Sequence, residues 1–271
     1  MGGDEGLARQ KQRRKLPVRD RVALLADPGS FREHAMLGGT ATYCGDDLTD
    51  FVPKPSVEGA VRIDGRRVMV SASDFSVRGG SGGLEHGALG AEPTTAERAL
   101  MEHVPYIRLL DAVGGSVRSF EELGRTYLPD GNVWSATEVK LLQTVPVVSA
   151  VLGSVAGLPA VNGPLSHFSV MVKGISHLFP GGPPVVKAAL GYDITKEELG
   201  GDEMHTRESG SIDNVAESEA EAMQQIRRFL SFLPSNSAEM APRAETRNAP
   251  EGAAEQLRGV IPRNRRRPYD G

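Results

Sequence analysis

Two adjacent glycines follow a short apolar run near the middle of the chain. Residues 105–117 predict a short buried strand that ends at Gly114 and Gly115, followed by the start of a helix. Because glycine has no Cβ, the backbone N–H groups at such a strand end can approach a bound atom closely. The first chemistry that the sequence predicts is therefore binding of an anionic atom by backbone donors, with phosphate as the simplest candidate.

A second glycine-rich segment lies at residues 79–83. It has the Gly-x-Ser-x-Gly spacing of a nucleophile elbow, with Ser81 at the centre. That motif requires a helix directly after the serine, and no apolar helical pattern begins there. The sequence therefore does not predict a serine nucleophile. Two interpretations stay open, a loop whose N–H groups lie near a ligand and a plain flexible loop.

Side chains suited to acid–base or metal chemistry are scarce. Asp202, Glu203 and His205 lie close together, but their spacing matches no strong zinc pattern. We expect His205 to make hydrogen bonds in a loop, and we predict no metal site. His86 and His103 are isolated. Many glycine donors with few acids and bases favour stabilisation of a developing oxyanion over attack by a side chain.

Strand and helix patterns alternate through the middle of the chain, which predicts an α/β fold with parallel pairing. An Asp-Gly turn at residues 64–65 predicts a hairpin of strands 59–65 and 66–72. Besides the strand that precedes Gly114, further strands are predicted at 145–152 and 168–172. Helices are predicted over 16–26, from Thr94, Ser119 and Ser135 with capping-box spacing, over 183–190 and 195–200, and from Val215 to Leu233. Residues 37–57 are expected to be loop.

Composition limits the class of protein. The chain has 271 residues and a formal net charge of -4, so nothing points to nucleic acid or to an anionic membrane. The single cysteine, Cys44, excludes an internal disulfide framework and fits a reducing compartment. No apolar run reaches the roughly 18–20 residues of a membrane helix, and no signal peptide is evident. We therefore predict a cytoplasmic protein.

Several motifs, in order along the chain, resemble the N-terminal half of the biotin-dependent acyl-CoA carboxyltransferases, the β subunits of propionyl-CoA and methylcrotonyl-CoA carboxylases. They are residues 15–22 with 27–31, 73–81, 114–115, 149–157, 182–187, 197–201 with 205–206, and 229–236. The resemblance covers roughly residues 5–236. It implies an N-terminal-type carboxyltransferase domain at residues 1–234. The polar stretch 235–271 is then a linker or flexible tail.

The resemblance also implies a fold and an activity. The fold would be crotonase-like, of the ClpP/crotonase type, a spiral of ββα units. The activity would be transfer of a carboxyl group from carboxybiotin to the α-carbon of an acyl-CoA, with backbone amides stabilising the enolate. The residues implied as oxyanion donors are Gly114, Gly115, Gly157 and Leu158. The residues implied at the CoA site are Phe75, Gly79, Gly80 and Ser81.

The same resemblance implies partner proteins, and this chain departs from the family pattern at one turn. The family pairs this half with a homologous C-terminal half that binds biotin, and biotin carboxylase and a biotin carrier complete an oligomeric enzyme. Alone, the chain is expected to hold an acyl-CoA pocket but half of an active site. After the first glycine of the second donor turn the family usually has another glycine and then a small residue, where this chain has Leu158 and Pro159, and Pro159 has no N–H to donate.

Two other functions remain open. One is a non-catalytic subunit that binds acyl-CoA as a scaffold. The other is a different crotonase-type enzyme such as a hydratase, which would need two catalytic glutamates. The corresponding positions are Val161 and about Gly181, and neither can act as an acid or base.

Overall fold

The computed structural model describes residues 2–81, 93–115, 124, 131–243 and 250–268, and of residues 131–134 the backbone alone. The chain divides into two compact units, residues 1–241 and 242–271. Asn236 and Ser237 belong to the first unit, where they donate hydrogen bonds to the carbonyls of His103 and Thr144. Within the described ranges, no helix combines the length and the apolar character needed to cross a membrane.

The described residues form helices and strands that alternate along the chain. The helices are α1 (Gly3–Gln12), α2 (Val18–Leu25), α3 (Thr95–Glu102), α4 (Gly131–Thr144), α5 (Leu158–Val161), α6 (Pro183–Leu190), α7 (Lys196–Gly200), α8 (Glu219–Ser231) and, in the second unit, α9 (Ala253–Val260). The strands are β1 (Arg32–His34), β2 (Gly39–Cys44), β3 (Asp47–Pro53), β4 (Ser56–Ile63), β5 (Arg66–Ser73), β6 (Tyr106–Leu110), β7 (Val147–Val151), β8 (Ser154–Ala156), β9 (Phe168–Val172), β10 (His177–Phe179) and β11 (Asn214–Ala216).

The main sheet has the strand order β1-β4-β5-β6-β7-β9-β11 in the described part of the chain. Strands β1, β4 and β5 pair antiparallel, whereas β5, β6, β7, β9 and β11 pair parallel. Every residue of β6, β7 and β9 is buried, as expected of parallel strands covered on both faces. Because parallel strands end at the same edge, the segments after β5, β6 and β7 lie side by side.

Helices with one apolar face cover the sheet. In α2, within the helix predicted over 16–26, the apolar stripe of Val18, Val22 and Leu25 is almost fully buried. In α8, Ala222 and Ile226 are buried in the same core, which joins side chains from β4 to β11. These contacts fix the sheet edge that carries the glycines.

Several local predictions are confirmed. Asp64 and Gly65 both have positive φ (51° and 79°), as the tight turn between β4 and β5 requires. Thr94 and Glu97 form the predicted capping box at the start of α3, and Thr195 and Glu198 form another before α7.

Three local predictions are wrong. Residues 37–57 are not loop but contain the antiparallel hairpin β2–β3, whose residues are mostly exposed. Helix α4 begins at Gly131 rather than at Ser135. The long helix begins at Glu219, not Val215, because residues 214–216 form β11 and Ser218 caps the helix. The predicted helix start at Ser119 lies outside the described residues, as does His86.

The turn between β4 and β5 is expected to make the free energy of unfolding depend on pH. The carboxylate of Asp27 accepts hydrogen bonds from the N–H groups of Asp64 (3.1 Å) and Gly65 (2.8 Å) and pairs with Arg227. The Gly65 N–H, and after it Arg227, lowers the pKa of Asp27 below its ordinary value of 3.8. A lowered folded-state pKa gives stability that is present above about pH 4 and lost as the pH falls through that pKa.

Asp27→Asn is therefore expected to reduce the free energy of unfolding more at pH 6 than at pH 3. Urea unfolding of both proteins at the two pH values measures this. An equal cost at both pH values would contradict the assigned role of the carboxylate.

Candidate active site

The glycine segments that follow β6 and β8 meet at the edge of the sheet. Gly114 has a φ of +78°, and a Cβ there would lie 2.7 Å from the carbonyl oxygen of Ala156. Gly157 has a φ of +69°, and a Cβ there would lie 3.4 Å from the Cα of Gly114. The N–H of Ala156 donates to the carbonyl of Ala112 at 2.9 Å. Only glycine allows the two backbones this approach at position 114.

Some backbone N–H groups at this junction already donate a hydrogen bond within the protein, and others do not. The Gly157 N–H donates to the carbonyl of Pro180 at 3.1 Å, so it is not available to a ligand. Leu158 is the first residue of α5, where an N–H has no partner within the helix. Among hydrogen bonds between described residues, the N–H groups of Gly114, Gly115 and Leu158 donate to no acceptor. The structure thus brings these three residues together, with Gly157 as the turn that joins them.

The glycine-rich segment after β5 packs against the same junction. The Ser81 hydroxyl donates to the Gly114 carbonyl at 2.5 Å, and Ser81 is buried. The Val113 N–H donates to the carbonyl of Gly79 at 3.0 Å, and a Cβ on Gly80 would lie 2.4 Å from the carbonyl oxygen of Asp111. Ser81 therefore holds the glycine pair through its hydroxyl. Residues 82 and 83 lie outside the described residues.

A cationic cavity of about 250 Å³ opens beside Phe75 and Gly79. Its lining includes the arginines Arg9, Arg13 and Arg78. The guanidinium carbon of Arg13 lies 5.0 Å from the centre of the Phe75 ring, within the range of a cation–π contact. Three guanidinium groups around one cavity suit a ligand that carries several negative charges.

Four charged side chains form a buried cluster around Asp111, which lies three residues before Gly114. The members of this four-charge cluster are Lys15, Arg21, Asp111 and Glu219, each with at most 5% of its side chain exposed. Lys15 Nζ contacts both Asp111 oxygens (2.7 and 2.8 Å), and Arg21 bridges Asp111 (2.9 Å) to Glu219 (2.6 Å). Two positive and two negative charges make the cluster neutral. Burial lowers the pKa of Lys15 below 10.5, and the attraction of Asp111 offsets this only in part.

Sequence reasoning missed both the arginine cavity and the four-charge cluster. One signal was present, because Asp111 directly follows the buried strand β6 and lies three residues before Gly114. A carboxylate at the end of a buried strand needs a cation beside it. Its partners lie 90 or more residues away along the chain.

His205 has a structural role in the described chain. Its Nε2 makes a hydrogen bond of 2.7 Å with the carbonyl oxygen of Leu178. His205 itself lies in a helical turn, Met204–Glu208, and not in a loop as the sequence predicted. Within the described residues, no three His, Cys, Asp or Glu side chains are placed to hold a metal ion.

Comparison with known proteins gives consistent matches. The carboxyl transferase domain family matches residues 9–271. The propionyl-CoA carboxylase carboxyltransferase subunit of Haloferax mediterranei is 33% identical over 273 residues, which cover 99% of this chain and 51% of that protein. The methylmalonyl-CoA carboxyltransferase 12S subunit of Propionibacterium freudenreichii subsp. shermanii is 33% identical, with coverage of 99% and 50%.

A crystal structure of transcarboxylase 12S with hydrolysed methylmalonyl-coenzyme A bound superposes with a TM-score of 0.78. It is 32% identical and covers 99% of this chain and 52% of that chain. The expected α/β, crotonase-like fold is confirmed by this likeness. The chain spans about half the length of the curated relatives it matches.

Proposed function

Because the chain belongs to the carboxyl transferase domain family, we propose that it is the acyl-CoA-binding half of a biotin-dependent acyl-CoA carboxyltransferase. One observation carries the proposal. The unengaged N–H groups of Gly114, Gly115 and Leu158 lie together at a junction that glycine alone permits. Such a group of backbone donors suits an oxygen atom that gains negative charge during a reaction.

In the proposed mechanism, the thioester carbonyl oxygen of the acyl-CoA accepts hydrogen bonds from these donors. The proton that leaves the α-carbon would pass to the biotin nitrogen that gives up the carboxyl group, and the electron pair left behind would move towards the thioester oxygen to form an enolate. The donors are fixed beforehand by the contacts of Gly114 with Ala156 and Ser81, so they need no reorganisation as the charge develops. One such donor is typically worth about 3 kcal/mol in the transition state. Carboxybiotin, on a separate carrier, would supply the carboxyl group that the α-carbon receives.

The resemblance implied Gly157 as an oxyanion donor, and we propose that it serves only as a turn. Its own N–H is engaged with Pro180, and its positive φ directs the chain into α5. We propose Leu158 as the donor of the second segment and Gly157 as the turn that presents it. The exposed Leu158 side chain (48% exposed) stands beside this donor and would bound the acyl group.

We propose the cationic cavity as the site of the CoA phosphates. Phe75 and Gly79 line it, together with the three arginines, and Gly80 and Ser81 connect it to the glycine pair. CoA carries several phosphate charges, and guanidinium groups bind phosphate well. Of the four residues assigned to the CoA site, Ser81 would act through Gly114 rather than by touching the ligand.

Arg13→Gln is expected to raise the Kd for propionyl-CoA about tenfold, because a hydrogen bond to a charged group is worth roughly 1.5–3 kcal/mol. Turnover at saturating substrate should change little, since Arg13 lies at the cavity and not at the donors. Isothermal titration at two salt concentrations measures the affinity and its screening. Arg62→Gln, at the opposite end of the sheet, is the matched control. Equal affinities for the two variants would show that phosphate does not occupy the cavity.

The remaining partners belong to the same proposal. The second half of the active site would come from a homologous carboxyltransferase segment, with biotin carboxylase and the carrier completing an oligomer. One solved relative, transcarboxylase 12S, forms a hexamer assembly. The cytoplasmic location stays a prediction from the sequence.

Reconstitution tests the proposed function directly. The purified chain is mixed with a matching second half, a carboxylated biotin carrier and propionyl-CoA, and carboxylated product is measured. Product that depends on this chain is the expected result. Absence of product despite tight binding of the acyl-CoA would favour the alternative, a non-catalytic acyl-CoA-binding subunit.

A further inference from the structure

Asp111 occupies the point from which the proposed donor segments diverge. It follows the last residue of β6 and stands three residues before Gly114. Its side chain has no solvent exposure. The carboxylate receives hydrogen bonds from Lys15 and Arg21, which reach it from the N-terminal part of the chain. A fully buried carboxylate is costly unless it is paired in this way.

Two further glycine-bearing segments pack directly on Asp111. Its backbone carbonyl faces Gly80, where a Cβ would lie 2.4 Å away. Its carboxylate faces Gly153, where a Cβ would lie 2.1 Å from Oδ1. Arg21, which holds the same carboxylate, also donates to the carbonyl of Leu152 at 2.8 Å. The segments after β5, β6 and β7 therefore all rest on one residue.

The four-charge cluster fixes Asp111 in turn. Glu219, at the start of α8, accepts from Arg21 Nε at 2.6 Å and from the N–H of Leu16 at 2.8 Å. Apolar side chains of similar volume would fill such a space at equal or better stability. The charged groups add directional hydrogen bonds, and each of these bonds fixes the position of one atom relative to another.

We propose that Asp111 is a positioning residue that sets the spacing between the Gly114–Gly115 donors and the Leu158 donor. The inference rests on the proposed function, since it concerns the same donors. Its carbonyl lies close against Gly80, its carboxylate lies close against Gly153 in the segment that leads to Gly157, and its own chain continues into Gly114. A displacement of about 1 Å at an active site can reduce the rate about 100-fold. Loss of the carboxylate charge releases Lys15 and Arg21 and allows such a shift.

The test uses Asp111→Asn in the full chain, and its readout is the polarisation of the bound thioester. Propionyl-CoA labelled with ¹³C at the carbonyl shows a lower infrared C=O frequency when backbone donors polarise it. The wild-type chain is expected to produce this shift, and Asp111→Asn to lose most of it while the Kd for propionyl-CoA changes less than about threefold. In the reconstituted reaction, kcat should fall about 100-fold with a nearly unchanged KM.

Asp27→Asn provides the control for stability, because Asp27 also anchors backbone N–H groups but lies at the opposite end of the sheet. It should lower the free energy of unfolding and leave the C=O frequency and kcat unchanged. If Asp111→Asn does not fold, Lys15→Met is the second variant. It leaves Arg21 on the carboxylate and should give a partial loss of the shift.

The outcomes separate the two claims. If the wild-type chain shifts the C=O frequency but gives no turnover, the proposed carboxyl transfer is contradicted. The C=O frequencies of the variants would still test the positioning role of Asp111. A folded Asp111→Asn or Lys15→Met protein that keeps the full shift would overturn the positioning role. Absence of any shift in the wild-type chain with propionyl-CoA bound would overturn both claims.

Discussion

Replacing Gly114 by alanine is expected to reduce the rate of carboxyl transfer at least about 100-fold. The new Cβ would lie 2.7 Å from the carbonyl oxygen of Ala156 and 3.3 Å from the Cα of Gly157. Both are backbone atoms, so they cannot move aside as the end of a flexible side chain would. The two segments must therefore separate, and the N–H groups of Gly115 and Leu158, which we propose as donors to one oxygen atom, would move apart. Losing one such donor typically costs about 100- to 1,000-fold in kcat.

Gly29→Ala is the matched control for backbone strain. Gly29 also has a positive φ, +70°, but a Cβ there would meet nothing within 4 Å. Both variants carry the strain of an alanine in the left-handed region, about 1–2 kcal/mol, and only Gly114→Ala adds the clash. Steady-state kinetics of the reconstituted reaction and thermal unfolding are measured for both. A Gly114→Ala protein with the kcat of Gly29→Ala would rule out the glycine pair as part of the proposed oxyanion site.

The sheet that carries these donors could be predicted because its signal is local. Residues 145–152 and 168–172 are nearly continuous apolar runs, and the strands β7 and β9 found there are buried throughout. The Asp64–Gly65 turn and the Thr94 cap also act within a few residues. Together with the ordered family motifs, these signals were sufficient for the crotonase-like fold.

The meeting of Gly114 with Gly157 could not be derived from local patterns. The two residues are 43 positions apart, and the chain has 32 glycines. Composition does not say which of them are in contact. Likewise, no pattern shows that the Gly157 N–H is taken by Pro180, because that bond depends on how β10 pairs with β8. The motif resemblance pointed to the segment, and the structure shows that within it the Gly157 N–H is engaged with Pro180.

The buried charges could not be predicted for a related reason. Lys15 ends a polar and basic stretch of the kind usually found in solvent, and the sequence signal of the helix that contains Arg21 is its apolar stripe. Each is nevertheless buried, because its partner carboxylate comes from a distant segment. The exposed hairpin β2–β3 was missed for the opposite reason, since its glycines and prolines resemble a loop and little of it packs on a core.

Arg21→Met is expected to have the largest effect on stability, a loss of about 3–5 kcal/mol in the free energy of unfolding. The substitution removes a guanidinium that makes hydrogen bonds to Asp111, Glu219 and the carbonyl of Leu152. Asp111 keeps Lys15, but the cluster acquires a net negative charge at a site with almost no solvent exposure. Methionine fills much of the space of the arginine stem, so the loss comes mainly from the uncompensated charge. Urea unfolding at pH 7 measures the difference.

Two comparisons show whether charge imbalance is the cause. Arg67→Met breaks a pair with Glu102 whose side chains are 47% and 37% exposed, and it should cost less than about 1 kcal/mol. Arg21→Met combined with Glu219→Gln restores neutrality, and it should recover part of the stability that the single variant loses. If Glu219→Gln lowered the free energy of unfolding as much in the Arg21→Met background as in the wild-type chain, restoring neutrality would have no effect. The stability loss of Arg21→Met would then come mainly from the lost hydrogen bonds and not from the charge. The four-charge cluster would then stabilise the fold as a set of separate bonds, and Asp111 could keep its position without Arg21.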